Sequence, residues 1–406
     1  MVIGPVPLSF AWNPVSSTLS LLAASAIAGL PFVRSAPNRM MTGEPVGLWQ
    51  VMMPLPSMVN GLMGALLILC VVTSVLKASR LILWVLVSAA CALSVLLPFV
   101  AGAYAQHMAL AQSAIARTSL GGAFWVLLVL AWLMATDGLQ RLGTGLSIRI
   151  ALWAVVMGVL MGILATGACD ALSIMKEYAN RADTFAPAVL RHLQVVMLAL
   201  VPTLLIGVPM GWWVHRNPSA NTAVFPVLNI IQTIPSIALF GLLMAPLALL
   251  AATFPQLARA GISGVGMAPG VIALVLYSLL PVVRGTLAGL QQVPKAVVDA
   301  ALGMGMSPLQ IAARVQLPLA LPVLLSGVKT ATIAAIGMAT ITALIGAGGL
   351  GAIMFEGLFS SAQDLVLLGV VPVVGLAVLA DALFTLAITL LQAPTQTTQQ
   401  PVPLAP

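Results

Sequence analysis

Charge is what this sequence most conspicuously lacks. Of 406 residues, 6% are Asp, Glu, Lys or Arg, against roughly 25% in an ordinary soluble domain. Sixteen Lys+Arg and nine Asp+Glu cannot coat a water-facing surface of this size. Water-soluble enzymes, nucleic-acid binders and disordered chains are therefore poor readings. Cysteine is scarce too: Cys70 and Cys91 lie inside apolar runs and Cys169 stands alone. That gives neither a disulfide framework nor metal-ligand spacing. His107, His192 and His215 are isolated, so no metal site is expected. No Gly-x-x-x-x-Gly-Lys-Ser/Thr phosphate loop is present, and no nucleophile constellation marks a catalytic site. A cleavable signal peptide begins with positive charge, but the first cation here is Arg34. The first apolar run is read as a retained anchor.

What the chain does have is 61% hydrophobic residues, and the solvent that suits them is a bilayer. The net charge of +7 comes from cations scattered singly between apolar runs, not from a nucleic-acid patch. A spanning helix needs about 20 apolar residues to cross about 30 Å of hydrocarbon. Ten such runs are expected, near 15–33, 57–76, 81–102, 120–136, 148–167, 193–213, 222–250, 269–291, 319–343 and 365–391. The first carries Pro31 near its end and is the weakest. In lipid each backbone must satisfy its own hydrogen bonds, so helices are the default. The fold class is an all-α polytopic membrane protein.

The densest charge, balanced in sign, lies at Asp170, Lys176, Glu177, Arg181, Asp183 and Arg191. Residues 168–192 are read as a polar periplasmic connection between an N-terminal extension of about five spans (1–167) and a C-terminal core (193–391). The polar, Pro-rich tail 392–406 is read as disordered. With both ends inside, Lys77, Arg80, Arg141, Arg149, Arg216, Arg284, Lys295, Arg314 and Lys329 fall on the cytoplasmic side, with only Asp137 and Asp299 as acids. The Lys/Arg bias is weak, nine against seven, but it favours this orientation. Arg34 and Arg39 sit on the wrong side. Placing the N-terminus outside, with one fewer span before residue 57, would remove that conflict.

Between the eighth and ninth spans, residues 294–318 are too polar for lipid. Pro294 suits a first helical turn, and that helix should run to about Leu302. Gly303 and Gly305 allow a sharp turn. Ser307, Pro308 and Gln310 form a Ser-x-x-Gln capping box for a second short helix, which Pro318 is expected to end. Asp299-Ala300-Ala301, Gly305, Val315, Leu317 and Pro318 resemble the signature of ABC importer permeases, Glu-Ala-Ala, three residues, Gly, nine residues, Ile-x-Leu-Pro. Every spacing agrees, with Asp299 for Glu and Val315 for Ile. The resemblance implies a coupling segment (Asp299, Ala300, Ala301, Gly303, Gly305, Ser307, Val315, Leu317, Pro318) that docks on an ATP-binding subunit. It covers about residues 190–391 and implies a five-helix type I core. Asn229-Ile-Ile-Gln-Thr-Ile-Pro-Ser-Ile-Ala-Leu-Phe240 and Leu344-Ile-Gly-Ala-Gly-Gly-Leu-Gly351 resemble permeases for glycine betaine, choline and related osmoprotectants. The extra N-terminal spans are similar to a longer-chain subgroup.

Several polar residues lie inside apolar spans. Pro235 removes a backbone hydrogen bond, and with Gln232, Thr233 and Ser236 it marks a kink that either lines a pathway or is satisfied locally. Thr340 and Thr342 are weaker pathway candidates, as are Thr330 and Thr332, because such hydroxyls often bond their own backbone. The resemblance implies that Gly346, Gly348, Gly349 and Gly351 form an outer turn or gate. Glu356 and Asp364, which follow that turn, either meet a binding protein or end spans in solvent. Asp381 sits deep in the last span, where an acid is expensive; an interhelix contact is preferred over proton coupling.

The resemblance implies a permease that uses no cofactor of its own. ATP and Mg would bind a partner ATPase, a periplasmic binding protein would recognise the solute, and a second permease copy or relative would complete the pore. The site would be a bacterial inner membrane. A quaternary ammonium is usually held by aromatic faces, and aromatics are 5% of this chain, so recognition is expected mainly in the binding protein. The alternative is an ion-gradient-driven secondary transporter. That reading calls for repeated halves and charged midplane sites; no convincing repeat is seen, and Asp381 is the lone deep acid.

Overall fold

The computed structural model describes residues 13–38, 41, 43–111 and 115–392. Arg39 and the tail 393–406 fall outside them. Two compact units divide at Asn180/Arg181. Among the described residues, nine helices are long and apolar enough to cross a membrane, which agrees with the polytopic helical reading.

The first unit contains α1 (Pro14–Gly29), α2 (Leu48–Met52), α3 (Ser57–Val75), α4 (Arg80–Ala111), α5 (Gly122–Arg141), α6 (Leu146–Ala165) and α7 (Ser173–Asn180). It also contains a feature that apolar runs do not announce. β1 (Val33–Ala36) pairs antiparallel with β2 (Glu44–Val46) on one side and β3 (Arg117–Leu120) on the other. These segments are connections whose backbone groups need partners once they are covered. A bridge from Thr118 to Leu172 extends the cap. Beside it, Lys176 Nζ donates to the Ala116 carbonyl at 2.8 Å. Burial, aided by the nearby Arg117, holds that ammonium below its ordinary pKa.

The sheet also bears on the first span, which the sequence places at 15–33. α1 has only 16 residues, about 24 Å, and it is not among the nine long helices. Its ends nevertheless lie at opposite faces of the unit. At one end Asn13 Nδ2 donates to Asp137 Oδ2 at 2.8 Å, and the Ser17 hydroxyl donates to the Ser74 carbonyl at 2.9 Å. Asp137 and Ser74 are near the C-terminal ends of α5 and α3. At its other end α1 leads into β1, beside β3 and the N-terminus of α5. α1 therefore traverses the unit, and β1 with Arg34 lies on the opposite face from Lys77 and Arg80. This geometry opposes the arrangement with one fewer span before residue 57.

The second unit contains α8 (Ala182–Arg216), α9 (Asn221–Thr233), α10 (Ser236–Thr253), α11 (Pro255–Arg259), α12 (Met267–Gln291), α13 (Lys295–Gly303), α14 (Pro308–Ile311), α15 (Leu317–Ala339), α16 (Leu350–Phe359) and α17 (Gln363–Gln392). The polar stretch 168–192 is thus largely helical: α7 fills its middle, and α8 starts inside it. At 35 residues, about 52 Å, α8 extends well past the hydrocarbon, so its polar first turns need not be in lipid. The predicted span 222–250 is two helices, broken at Ile234-Pro235.

α12 is the axis of this unit and packs between α8 and α15. Glycine permits the closest approach. A Cβ on Gly285 would lie 2.7 Å from the Gly327 Cα, so α12 and α15 touch backbone to backbone. That favours a stiff pair in lipid, where close packing replaces the hydrophobic effect as the force between helices.

Candidate functional site

The segment 294–318 folds as a helical hairpin. Pro294 caps α13 from outside (φ −62°, ψ 131°) and does not sit in its first turn. The turn that follows is a Schellman motif: Gly305 N–H donates to the Leu302 carbonyl at 2.9 Å, and Met306 N–H to Ala301 at 3.1 Å. Its left-handed position is Gly305 (φ +77°), which suits glycine. Gly303 closes α13 and does not form the turn. Ser307 and Gln310 then make the expected reciprocal cap, with Ser307 N–H to Gln310 Oε1 at 2.8 Å and Gln310 N–H to Ser307 Oγ at 3.3 Å.

The expected stop at Pro318 does not occur. Ala312–Gln316 form a π-helical segment that leads straight into α15, with Val315 inside it and Pro318 in the first turn of α15. Proline breaks a helix by lacking an N–H donor and crowding the preceding turn. The change of hydrogen-bond register just before it accommodates both, so the helix runs on from the hairpin into the membrane.

Burial sorts the hairpin side chains. Ala301, Ile311 and Ala312 are buried where α13 packs on α14 and the π segment. Asp299, Ala300, Gly303, Gly305 and Ser307 are exposed. So are four large apolar side chains that the signature does not single out: Val297, Leu302, Met304 and Leu309, the last 79% exposed. Large apolar residues within a segment too polar for lipid were the available signal. The hairpin's base is fixed by a cluster of Leu290, Val293 and Ala320 with Trp212 and Val298, which ties it to α8, α12 and α15.

The α9–α10 break is held from α12. Gln232 Nε2 donates to the Tyr277 carbonyl at 3.0 Å, and the Tyr277 hydroxyl donates to the Ile234 carbonyl. Arg284 donates to Asn229 Oδ1 at 2.9 Å. The Thr233 hydroxyl bonds its own helix, at Ile230. Gln232, Thr233 and Pro235 are exposed and Ser236 is half-buried. Thr340 and Thr342 lie elsewhere, at the far end of α15. Both are buried, and they donate to the Gly337 and Ala339 carbonyls at 2.7 Å. Their hydroxyls are thereby taken up by local backbone.

Those threonines border the glycine-rich turn. Gly346, Gly348 and Gly349 all have positive φ. A Cβ on Gly351 would lie 2.0 Å from the Thr340 carbonyl oxygen. The turn rests on α8, where Arg191 Nε donates to the Ala347 carbonyl at 3.0 Å. The buried His192 ring meets the Ile336 carbonyl at 3.1 Å. Glu356 pairs with Arg181, also at this end. Asp381 is paired as well: Lys329 Nζ lies 2.5 Å from its Oδ1 and donates to Thr385 Oγ1 at 3.0 Å, joining α15 to α17.

Comparison with known proteins covers both units. The family described as "ABC transporter permease YehY, N-terminal domain" matches residues 13–175. The family "Binding-protein-dependent transport system inner membrane component" matches 203–391. The choline transport system permease OpuBB of Bacillus subtilis is 36% identical over 48% of this chain and 83% of its own length. The osmoprotectant import permease OsmW of Salmonella typhimurium is 36% identical over 50% of this chain and 89% of its own. An inward-facing MetNI methionine ABC transporter structure aligns over 51% of this chain and 95% of that one, with a TM-score of 0.45 and 21% identity. A hairpin with this signature, a broken span ahead of it and a glycine turn beyond it, on a helical chain with an added N-terminal unit, meet in one family: the chain belongs to the binding-protein-dependent ABC importer permeases, in their osmoprotectant group and with the longer N-terminal extension.

Proposed function

We propose that this chain is the membrane permease of an ATP-driven importer for osmoprotectants such as glycine betaine or choline, in a bacterial inner membrane. A separate ATPase carries ATP and Mg, a periplasmic binding protein delivers the solute, and a second permease copy or relative completes the pore. The observation that carries this reading is the hairpin 294–318. It offers exposed Val297, Leu302, Met304 and Leu309 outside the membrane, the kind of apolar anchor that fills a partner's pocket. Its base is packed into α8, α12 and α15. A push on the hairpin thus reaches the Gly285–Gly327 contact without passing through a loose joint. In alternating access, ATP would draw two such hairpins together and open the outer end.

Gln232, Thr233, Pro235 and Ser236 are the proposed pathway residues. They are polar or kinked, and they sit at a break in a span where backbone groups can meet solute. The roles of Thr340 and Thr342 are proposed as packing below the glycine turn. Gly346, Gly348, Gly349 and Gly351 are proposed to form the outer gate with Arg191 and His192.

Two experiments test the reading. Proteoliposomes holding the assembled complex should accumulate labelled glycine betaine or choline well above the level of an unrelated sugar; equal uptake of all three would remove the substrate assignment. Cysteines placed at Ser307 and Ser119 should react with an impermeant reagent from opposite sides, Ser307 from the cytoplasm. Labelling of both from one side would overturn the topology.

A further inference from the structure

We propose that the groove between α3 and α4 binds an anionic phospholipid, with its phosphate on Lys77 and Arg80 and one acyl chain along the groove. The groove is open to the surface, offers about 370 Å³ and is lined by Leu66, Leu69, Trp84, Val85, Ser88 and Ala92. It starts about 6 Å below Arg80, at Trp84, and ends about 18 Å below it, at Ala92, by helical rise. That depth matches one leaflet, about half of a 30 Å hydrocarbon core. The half-exposed Trp84 occupies the level at which an indole ring favours the membrane–water boundary.

Charge selects the headgroup. Lys77, on the short connection between the two helices, and Arg80, which opens α4, are both exposed. Two other cations at this end of the unit are engaged. Arg141 grips Asp137 at 2.9 Å, and Arg149 donates to Thr144 at 3.2 Å and to the Leu139 carbonyl at 3.4 Å. Asp137 also accepts from Asn13 and Ser16. Among the described residues, Lys77 and Arg80 make no side-chain hydrogen bond or ion pair, which leaves both cations available to a lipid phosphate. A cation close to an anionic lipid surface is worth roughly fivefold in affinity. The pair should favour an anionic over a zwitterionic lipid by about 25-fold.

The test uses the full chain in mixed micelles with brominated-chain phosphatidylglycerol or phosphatidylcholine. Trp84 is one of eight tryptophans, so its quenching is read as the difference between the unaltered protein and Trp84→Phe. Half-quenching should need about 25-fold less phosphatidylglycerol than phosphatidylcholine. Lys77→Gln with Arg80→Gln should reduce that preference below twofold, and Ser88→Leu should block quenching by either lipid. Equal quenching by both lipids would show an ordinary lipid-facing seam and overturn the proposal. So would a preference that survives the double substitution, or the absence of any Trp84-dependent quenching.

Discussion

Replacing Leu302 and Met304 together with aspartate is expected to abolish substrate-stimulated ATP hydrolysis, by well over tenfold, while the permease still inserts. The two side chains are 55% and 75% exposed, so the unit's own packing uses the smaller part of each. If they fill pockets on the ATPase, each is an anchor of the kind whose loss costs at least about 2 kcal/mol, or roughly 30-fold in affinity. Aspartate adds a desolvated charge to that loss. Gly305→Val should give a similar loss by another route. A β-branched residue at φ +77° costs about 1–2 kcal/mol and would re-aim α13 against the partner. Ser307→Ala is the contrast: it removes one cap, worth about 1 kcal/mol, at a hairpin that Gly305 and the buried Ala301 still fix, so most of the stimulation should remain. Stimulated hydrolysis in detergent, measured with substrate-loaded binding protein, reads all three. Normal stimulation of the Leu302/Met304 variant would remove this surface from the coupling account.

The second large effect belongs to Lys329→Met. Asp381 lies about 17 Å from the C-terminal end of α17, and Lys329 lies about 18 Å from the start of α15. At that depth an unpaired carboxylate costs roughly 2.5–3.5 kcal/mol on an insertion scale. Removing the ammonium should sharply reduce folded protein in the membrane. Lys329→Met combined with Asp381→Leu should restore the yield, because replacing both members of a pair is far milder than breaking it. The amount of monodisperse permease extracted by mild detergent measures both. If the single and double variants behave alike, the 2.5 Å contact contributes nothing to assembly.

How much of this was legible in the sequence follows the distance over which each feature is decided. The Ser307–Gln310 cap and the Gly305 turn depend on neighbours a few residues away, and the letters suffice. The break at Pro235 was visible for the same reason, although its partner Tyr277, on another helix, was not. The β1–β3 pairing joins segments some eighty residues apart, each too short to display alternation. The π segment at Ala312–Gln316 defeated the expectation that Pro318 ends a helix, because proline marks a lost donor without saying whether register can shift to absorb it. The candidate site was legible through fixed offsets of small residues. Its exposed apolar side chains are not marked in the same way, because a leucine or methionine is unexceptional in a chain this hydrophobic.

Whether an attached ATPase supplies the force can be read in proteoliposomes. Solute uptake should be measured with the permease alone and with the partner ATPase and binding protein, with and without ATP, under an imposed proton or sodium gradient. Accumulation is expected only when the ATPase, the binding protein and ATP are all present, whatever the gradient. Full-rate accumulation by the permease alone, driven by an ion gradient, would contradict that expectation.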